Sequence, residues 1–262
     1  MRGLIADTFA EMLDRKLLWV FAIVTGFALL IVFGLRALEN LEIQGQEIDL
    51  TGVNGLLAQE MIRGYDMFMY FLVFLGVLAT AGLIPNMLIR GRSDYYLSKP
   101  ISRTQLLVGK TLSIWIVYGG TIVAAVAVMY LAGGLSVGVF PSEILTVIGI
   151  NLLILVVWLS VTVFAGVAFG SNAMAVMTAF AIWLAQYLLS FHEWVSEVTS
   201  NGAVIAIIDT LYYIMPKTSQ MSNLALEIAS GRVTTWLPLW SSLLFAAVLF
   251  GVTLALFRRK DY

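Results

Sequence analysis

Six long apolar runs constrain this chain more than any motif it carries. A helix crosses a bilayer on roughly 20 mainly apolar residues, because each advances it by about 1.5 Å through a hydrocarbon core ~30 Å thick. The runs 17–35, 67–89, 111–135, 144–169, 173–190 and 236–257 read as crossings; the fifth is the shortest, and Pro85 and Asn86 interrupt the far end of the second. Of all residues 60% are hydrophobic and only 12% are charged, about half the charge of an ordinary soluble chain. The expected fold class is an all-α polytopic membrane protein, a single transmembrane domain over 1–262 with six transmembrane helices.

Basic residues set the orientation, since cytoplasmic connections retain Lys and Arg. Arg2, Arg15 and Lys16 precede the first crossing. Arg90, Arg92, Lys99, Arg103 and Lys110 fall between the second and third, and Arg258, Arg259 and Lys260 follow the last. The opposite connections hold only Arg36, Arg63, Lys217 and Arg232, beside most of the acidic residues. Both termini and the segment 90–110 are therefore expected in the cytoplasm of a multi-pass protein of the cell membrane. An even number of crossings follows. The rival for a seventh, 203–215, contains Asp209 and ends at Pro216; it is too short to span and suits an interfacial or re-entrant helix.

Two flanking pieces read as helices on the membrane rather than through it. In 1–16, Leu4, Ile5, Phe9, Met12 and Leu13 form one stripe, with Asp7, Glu11, Asp14 and Arg15 on the other side and Glu11 and Arg15 spaced for an ion pair. This is expected to be an N-terminal amphipathic interfacial helix rather than a cleaved leader, because its apolar run is long and no small-residue cleavage site follows. The stretch 191–235 is expected to be an extracytoplasmic helical cap between spans five and six. Its second helix carries Met221, Leu224, Ala225 and Ile228 at helical spacing, with Ser219 as N-cap and Gly231 as stop.

Several chemistries are excluded. There is no cysteine and one histidine, His192, so thiolate metal sites and His-rich catalysis have no residues to use. Gly109-Lys110-Thr111 lacks the upstream glycine of a phosphate-binding loop, position 104 being Thr. Gly134-Leu-Ser136-Val-Gly138 matches a nucleophile elbow but sits at the end of a crossing; close helix packing is the better reading, as for Gly166 and Gly170. Within the stated boundaries no crossing carries an ionisable side chain, so no ion-coupled relay is expected and the energy source lies outside this chain. Asn86, Asn151 and Gln186 read as glue between helices. The net charge of −1 gives no ground for a nucleic-acid partner.

The segment 90–110 has structure beyond its charge. Ser93 can cap a short helix carrying Asp94, Tyr95, Tyr96 and Leu97, and Pro100 ends it, since the residue before a proline avoids helical geometry. Ser102-Arg103-Thr104-Gln105 is a capping-box pattern that starts the next helix. A helix, a proline break and a second helix make a rigid projection.

Here the chain resembles a family. Leu97-Ser98-Lys99-Pro100-Ile101-Ser102-Arg103, followed by Val108-Gly109-Lys110 and a crossing, looks like the membrane subunits of ATP-binding-cassette exporters of the type-2 permease branch. The ending from Phe257 to Tyr262, an aromatic, a basic cluster and an acid, is similar to that family's tail. The pattern departs upstream of the proline, where Asp94 is the only nearby acid. The resemblance implies a permease that lines the substrate pathway as a dimer, with itself or a sister permease. Separate cytoplasmic ATPase subunits would bind ATP and Mg, leaving this chain with no catalytic residue and no cofactor of its own. It implies a cytoplasmic coupling helix between spans two and three, with Tyr95, Tyr96, Leu97, Lys99, Pro100, Ile101, Ser102 and Arg103 seated in a groove on the ATPase. Two other classes are weighed against it: a non-transporting scaffold or immunity-type membrane protein, which needs no coupling element, and a secondary transporter, which needs broken helices in paired positions where only Pro85 hints at one.

Overall fold

The computed structural model describes residues 2–39, 53–87, 102–192 and 201–259, and every regular element among them is a helix. Helix α1 (Arg2–Asp14) turns tightly into α2 (Leu17–Glu39) through Lys16, whose φ of 57° is left-handed. Helix α3 (Val53–Thr80) is followed by the short α4 (Leu83–Met87). The break falls at Ala81 and Gly82, one turn before Pro85, because the proline ring has no N–H for the Ala81 carbonyl and collides with it. The helix carrying the predicted crossing 67–89 thus starts well upstream, at Val53.

Helix α5 (Arg103–Val137) and helix α6 (Ile144–Phe169) each stop at a left-handed glycine, Gly138 at φ 79° and Gly170 at φ 64°. Their amides donate to Gly134 O and Gly166 O, at 2.7 and 3.0 Å. This corrects the packing reading of both glycine pairs: the second glycine of each is a helix stop, required by its backbone angle. Only Gly166 also makes a close approach between helices, since a Cβ there would lie 3.0 Å from Pro85 Cδ on α4.

Helices α7 (Asn172–Leu189), α8 (Gly202–Ile214), α9 (Thr218–Ala229) and α10 (Leu237–Arg259) complete the chain. Among the described residues, five helical stretches are long and apolar enough to cross a membrane: Leu57–Met87, α5, α6, α7 and α10. The apolar stretch of α2, Leu17–Ile31, is shorter, as is α8. Helix α6 is apolar on every side, the mark of a helix surrounded by others, and it touches α3, α5, α7, α9 and α10. Val147, Ile154, Leu155, Val157 and Val161 on it are fully buried. By contrast Trp19, Ile23, Phe27 and Leu30 on α2 point outward. At spacings of three and four residues they make one exposed apolar stripe, a surface no water-soluble monomer would leave open.

Long helices that follow one another in the chain reverse direction, whereas α3 and α6 run side by side in parallel, Asp66 meeting Asn151 and, further along both, Pro85 of α4 meeting Gly166. At one end, a Cβ on Gly82 would lie 2.9 Å from the Asn172 side chain and 3.1 Å from the Arg15 guanidinium, which levels the ends of α1 and α3 with the start of α7. Arg258 Nε donates to Thr104 Oγ1 at 2.9 Å, joining the end of α10 to the start of α5. At the other end Tyr65, Tyr130 and Phe140 stack edge-on, with centroids 5.9 and 5.6 Å apart. Helix α9 departs from the expected membrane-surface cap. Its Met221, Leu224 and Ala225 are buried against α3, α6 and α10, and it begins at Thr218, one residue before the expected cap Ser219.

Candidate functional site

The end of the bundle that carries Ser102 is built around α5. Ser102 is extended (φ −70°, ψ 151°); its Oγ accepts from Gln105 N at 3.2 Å, and its own N–H donates to Gln105 Oε1 at 3.1 Å. This reciprocal box satisfies two amides that a helix start leaves orphaned, so α5 has a defined first turn at Arg103. Of the residues expected to meet a partner, Ser102 is exposed and Arg103 half-buried. Tyr95, Tyr96, Leu97, Lys99, Pro100 and Ile101 lie outside the described residues, as does the expected short helix after Ser93.

Two turns into α5, Lys110 is 1% exposed, and its Nζ lies 2.8 Å from Asp7 Oδ2 and 3.2 Å from Glu11 Oε2. Glu11 also accepts from Arg15 at 3.1 Å, which extends the network along α1. An unpaired ammonium at this depth would cost several kcal/mol, about 3–5 by analogy with broken buried pairs, so two carboxylates one helical turn apart are the counterweight. Gly109 makes the approach possible: a Cβ there would lie 2.7 Å from Leu4 Cδ1. The Gly-Lys pair that superficially resembled a phosphate loop therefore seats α1, the glycine admitting Leu4 and the lysine clasping the acids. The expected stripe on α1 splits accordingly. Thr8 and Met12 are buried in the protein, while Phe9 and Leu13 face outward.

A second polar cluster lies inside the bundle. Asp66 on α3 is 4% exposed; it accepts from Asn151 Nδ2 of α6 at 2.8 Å and from the Ser222 hydroxyl of α9. Nearby, Gln186 Oε1 of α7 accepts from Thr218 N at 3.1 Å and from Thr218 Oγ1 at 3.0 Å, and Tyr70 on α3 shares a 3.3 Å bond with that hydroxyl. Lys217 N donates to Ser242 Oγ of α10 at 2.7 Å, while its Nζ caps the end of α8 on Tyr212 O at 2.8 Å. Burial pushes the Lys217 ammonium below the usual lysine range. His192 Nδ1 lies 3.2 Å from Asp209 Oδ1, and its ring stacks on Tyr212 at 3.8 Å. Helix α9 and the Lys217 that precedes it are thus held by polar bonds to α3, α7 and α10, and Asp66 links them on to α6.

These contacts make Asn151 and Gln186 the glue their residue types suggested, but they correct the view that the crossing helices hold no ionisable group. Asp66 and Lys110 each sit just outside a crossing counted by hydropathy and well inside a continuous helix. Both were legible only in part: Asp66 continues the helical register of Tyr70, and Lys110 faces the i, i+4 acids Asp7 and Glu11. Among the described residues no three of His, Asp and Glu come together as a metal centre requires. What the arrangement does is mechanical: it fixes short helices to long ones at both ends. A family model described as ABC-2 family transporter protein matches residues 8–262. No curated protein matches the chain.

Proposed function

The chain belongs to the ABC-2 family of transporter proteins, matched over residues 8–262, and on that premise we propose that it is the permease subunit of an exporter driven by separately encoded ATPase subunits. It crosses the cell membrane six times, α2 included, with both termini in the cytoplasm, and pairs with a second permease to line the pathway. The segment from Tyr95 to Arg103 docks on the ATPase, which supplies the ATP and Mg chemistry.

One observation carries this reading: α1, the start of α5 and the end of α10 are bolted together at the end of the bundle where α5 begins. A push on the first turn of α5 reaches three helices at once, as conversion of domain closure into rigid-body motion requires. The alternating helix directions, the level ends and the basic residues at this end support the topology. A scaffold without a partner gains nothing from a capped projection tied into three elements.

The test is co-purification of the full chain with the candidate ATPase from membranes. Tyr96→Ala or Leu97→Ala should weaken association about thirtyfold, as for an interface anchor worth ~2 kcal/mol, with membrane insertion unchanged. If alanine changes across Tyr95 to Arg103 leave both association and transport intact, the docking assignment is wrong.

A further inference from the structure

We propose that a groove between α5, α6 and α10 binds one anionic phospholipid, its acyl chain against the groove wall and its phosphate at Arg258. The groove encloses about 420 Å³ and is walled by Leu112, Trp115, Leu159, Leu243, Ala247 and Phe250, among others. Every hydroxyl and ring N–H on its wall is already spent on the backbone. Thr111 donates to Leu107 O at 2.8 Å, Ser160 to Val157 O at 2.7 Å and Trp115 Nε1 to Leu152 O at 3.1 Å. Such a wall offers nothing to a polar substrate and suits a methylene chain.

The charge one turn beyond the groove selects the head group. Arg258 joins α10 to α5, two of the three helices around the groove, through Nε to Thr104 Oγ1 at 2.9 Å, and Thr104 stands one helical turn before Val108 on the groove wall. That bond uses one of the five N–H donors of a guanidinium. Arg258 is exposed. Phe250 lies eight residues before Arg258 on one helix, so the groove wall stands about 12 Å above the arginine level, the depth of acyl carbons beneath a phosphate.

Placing this lipid in the inner leaflet rests on the topology proposed above; the binding itself does not, and it is read without any ATPase. The test uses the full chain in phosphatidylcholine nanodiscs, titrated with phosphatidylglycerol or phosphatidylcholine brominated on the acyl chain. The readout is the part of the tryptophan quenching that Trp115→Phe removes. Phosphatidylglycerol should be preferred about fivefold, as one arginine near an anionic head group predicts. Arg258→Gln should abolish the preference, whereas Thr104→Val, which removes the bond but keeps the charge, should leave it in place. Ala247→Phe should fill the groove and remove Trp115 quenching by both lipids. Retention of phosphatidylglycerol through detergent washing, counted by mass spectrometry, gives the same comparison without relying on Trp115. Equal quenching by the two head groups, or a preference that survives loss of Arg258, overturns the proposal.

Discussion

Lys110 Nζ and Asp7 Oδ2 meet at 2.8 Å across 103 residues of chain, with the lysine buried and the aspartate partly open to solvent. This contact, shared with Glu11, is what holds the N-terminal helix on α5. Lys110→Met should loosen α1 from α5 by removing the ammonium that Asp7 and Glu11 share. Discounting for the exposed Asp7, the loss is about 2 kcal/mol, seen as a melting temperature lower by roughly 4–8 °C in detergent. A melting curve that does not move would show that α1 is held by apolar packing alone.

Asp66, Asn151 and Ser222 should behave as one unit. In a double-mutant cycle, Asp66→Leu with Ser222→Ala should show a coupling of about 0.6–1.7 kcal/mol, the range for hydrogen bonds between membrane helices. Strict additivity would mean that the two side chains do not interact in the membrane. Protection of α9 from proteolysis should fall in each single variant.

The glycines should separate by mechanism. Gly138→Ala places a Cβ on a backbone at φ 79°, costing about 1–2 kcal/mol from strain alone. Gly166→Val has no such strain but must displace Pro85 and Ile84, whose atoms lie 3.0 and 3.2 Å from the new Cβ; overpacking of this kind costs ~1–3 kcal/mol. Shortening Ile84 to Ala should rescue the second variant and leave the first unchanged, in thermal unfolding.

Lys217 gives a pH dependence of known sign. Burial disfavours its charged form, so between its lowered value and the ordinary lysine value of about 10.4 the unfolded chain binds more protons than the folded one. Stability from this group therefore rises as pH increases through that alkaline window. Wild type should gain stability relative to Lys217→Met as the buffer is raised from neutral toward pH 10, and a relative loss instead contradicts the buried placement.

Ser102→Ala should remove the reciprocal cap at the start of α5, at a cost of ~1 kcal/mol. With the docking segment no longer rigidly aimed, ATPase stimulation by the permease should drop more than ATPase binding does. Equal losses in both would place Ser102 in the contact itself.

Much of the architecture was legible because hydropathy and capping are local. The apolar runs follow from composition over a helix length, and Ser102 and Gln105 sit within one turn of each other, so the box at the head of α5 reads directly from four residues. The stop at Gly231, at φ 70°, is local in the same way. What escaped is pairwise and distant. Nothing near Asp66 announces Ser222, and a hydropathy window ends a crossing at the first charge whether that charge meets water or a partner. The amphipathic pattern of α9 was visible, but the same stripe serves a lipid surface or a protein groove. The choice is made by Thr218, Gln186 and Tyr70, which lie on three different helices.

The clasp at Lys110 also sets vertical register. Helix α1 turns outward two large side chains, Phe9 and Leu13, which on the topology proposed above would hold it at the boundary between head groups and acyl chains. A slide of α5 along its own axis by a single residue, about 1.5 Å, would draw the ammonium away from both carboxylates. On that topology α5 is tethered to the membrane surface rather than to its midplane. A bilayer that thickens or thins would change the buried length of the far end of α5, and the height at which Ser102 stands above the lipid would stay the same.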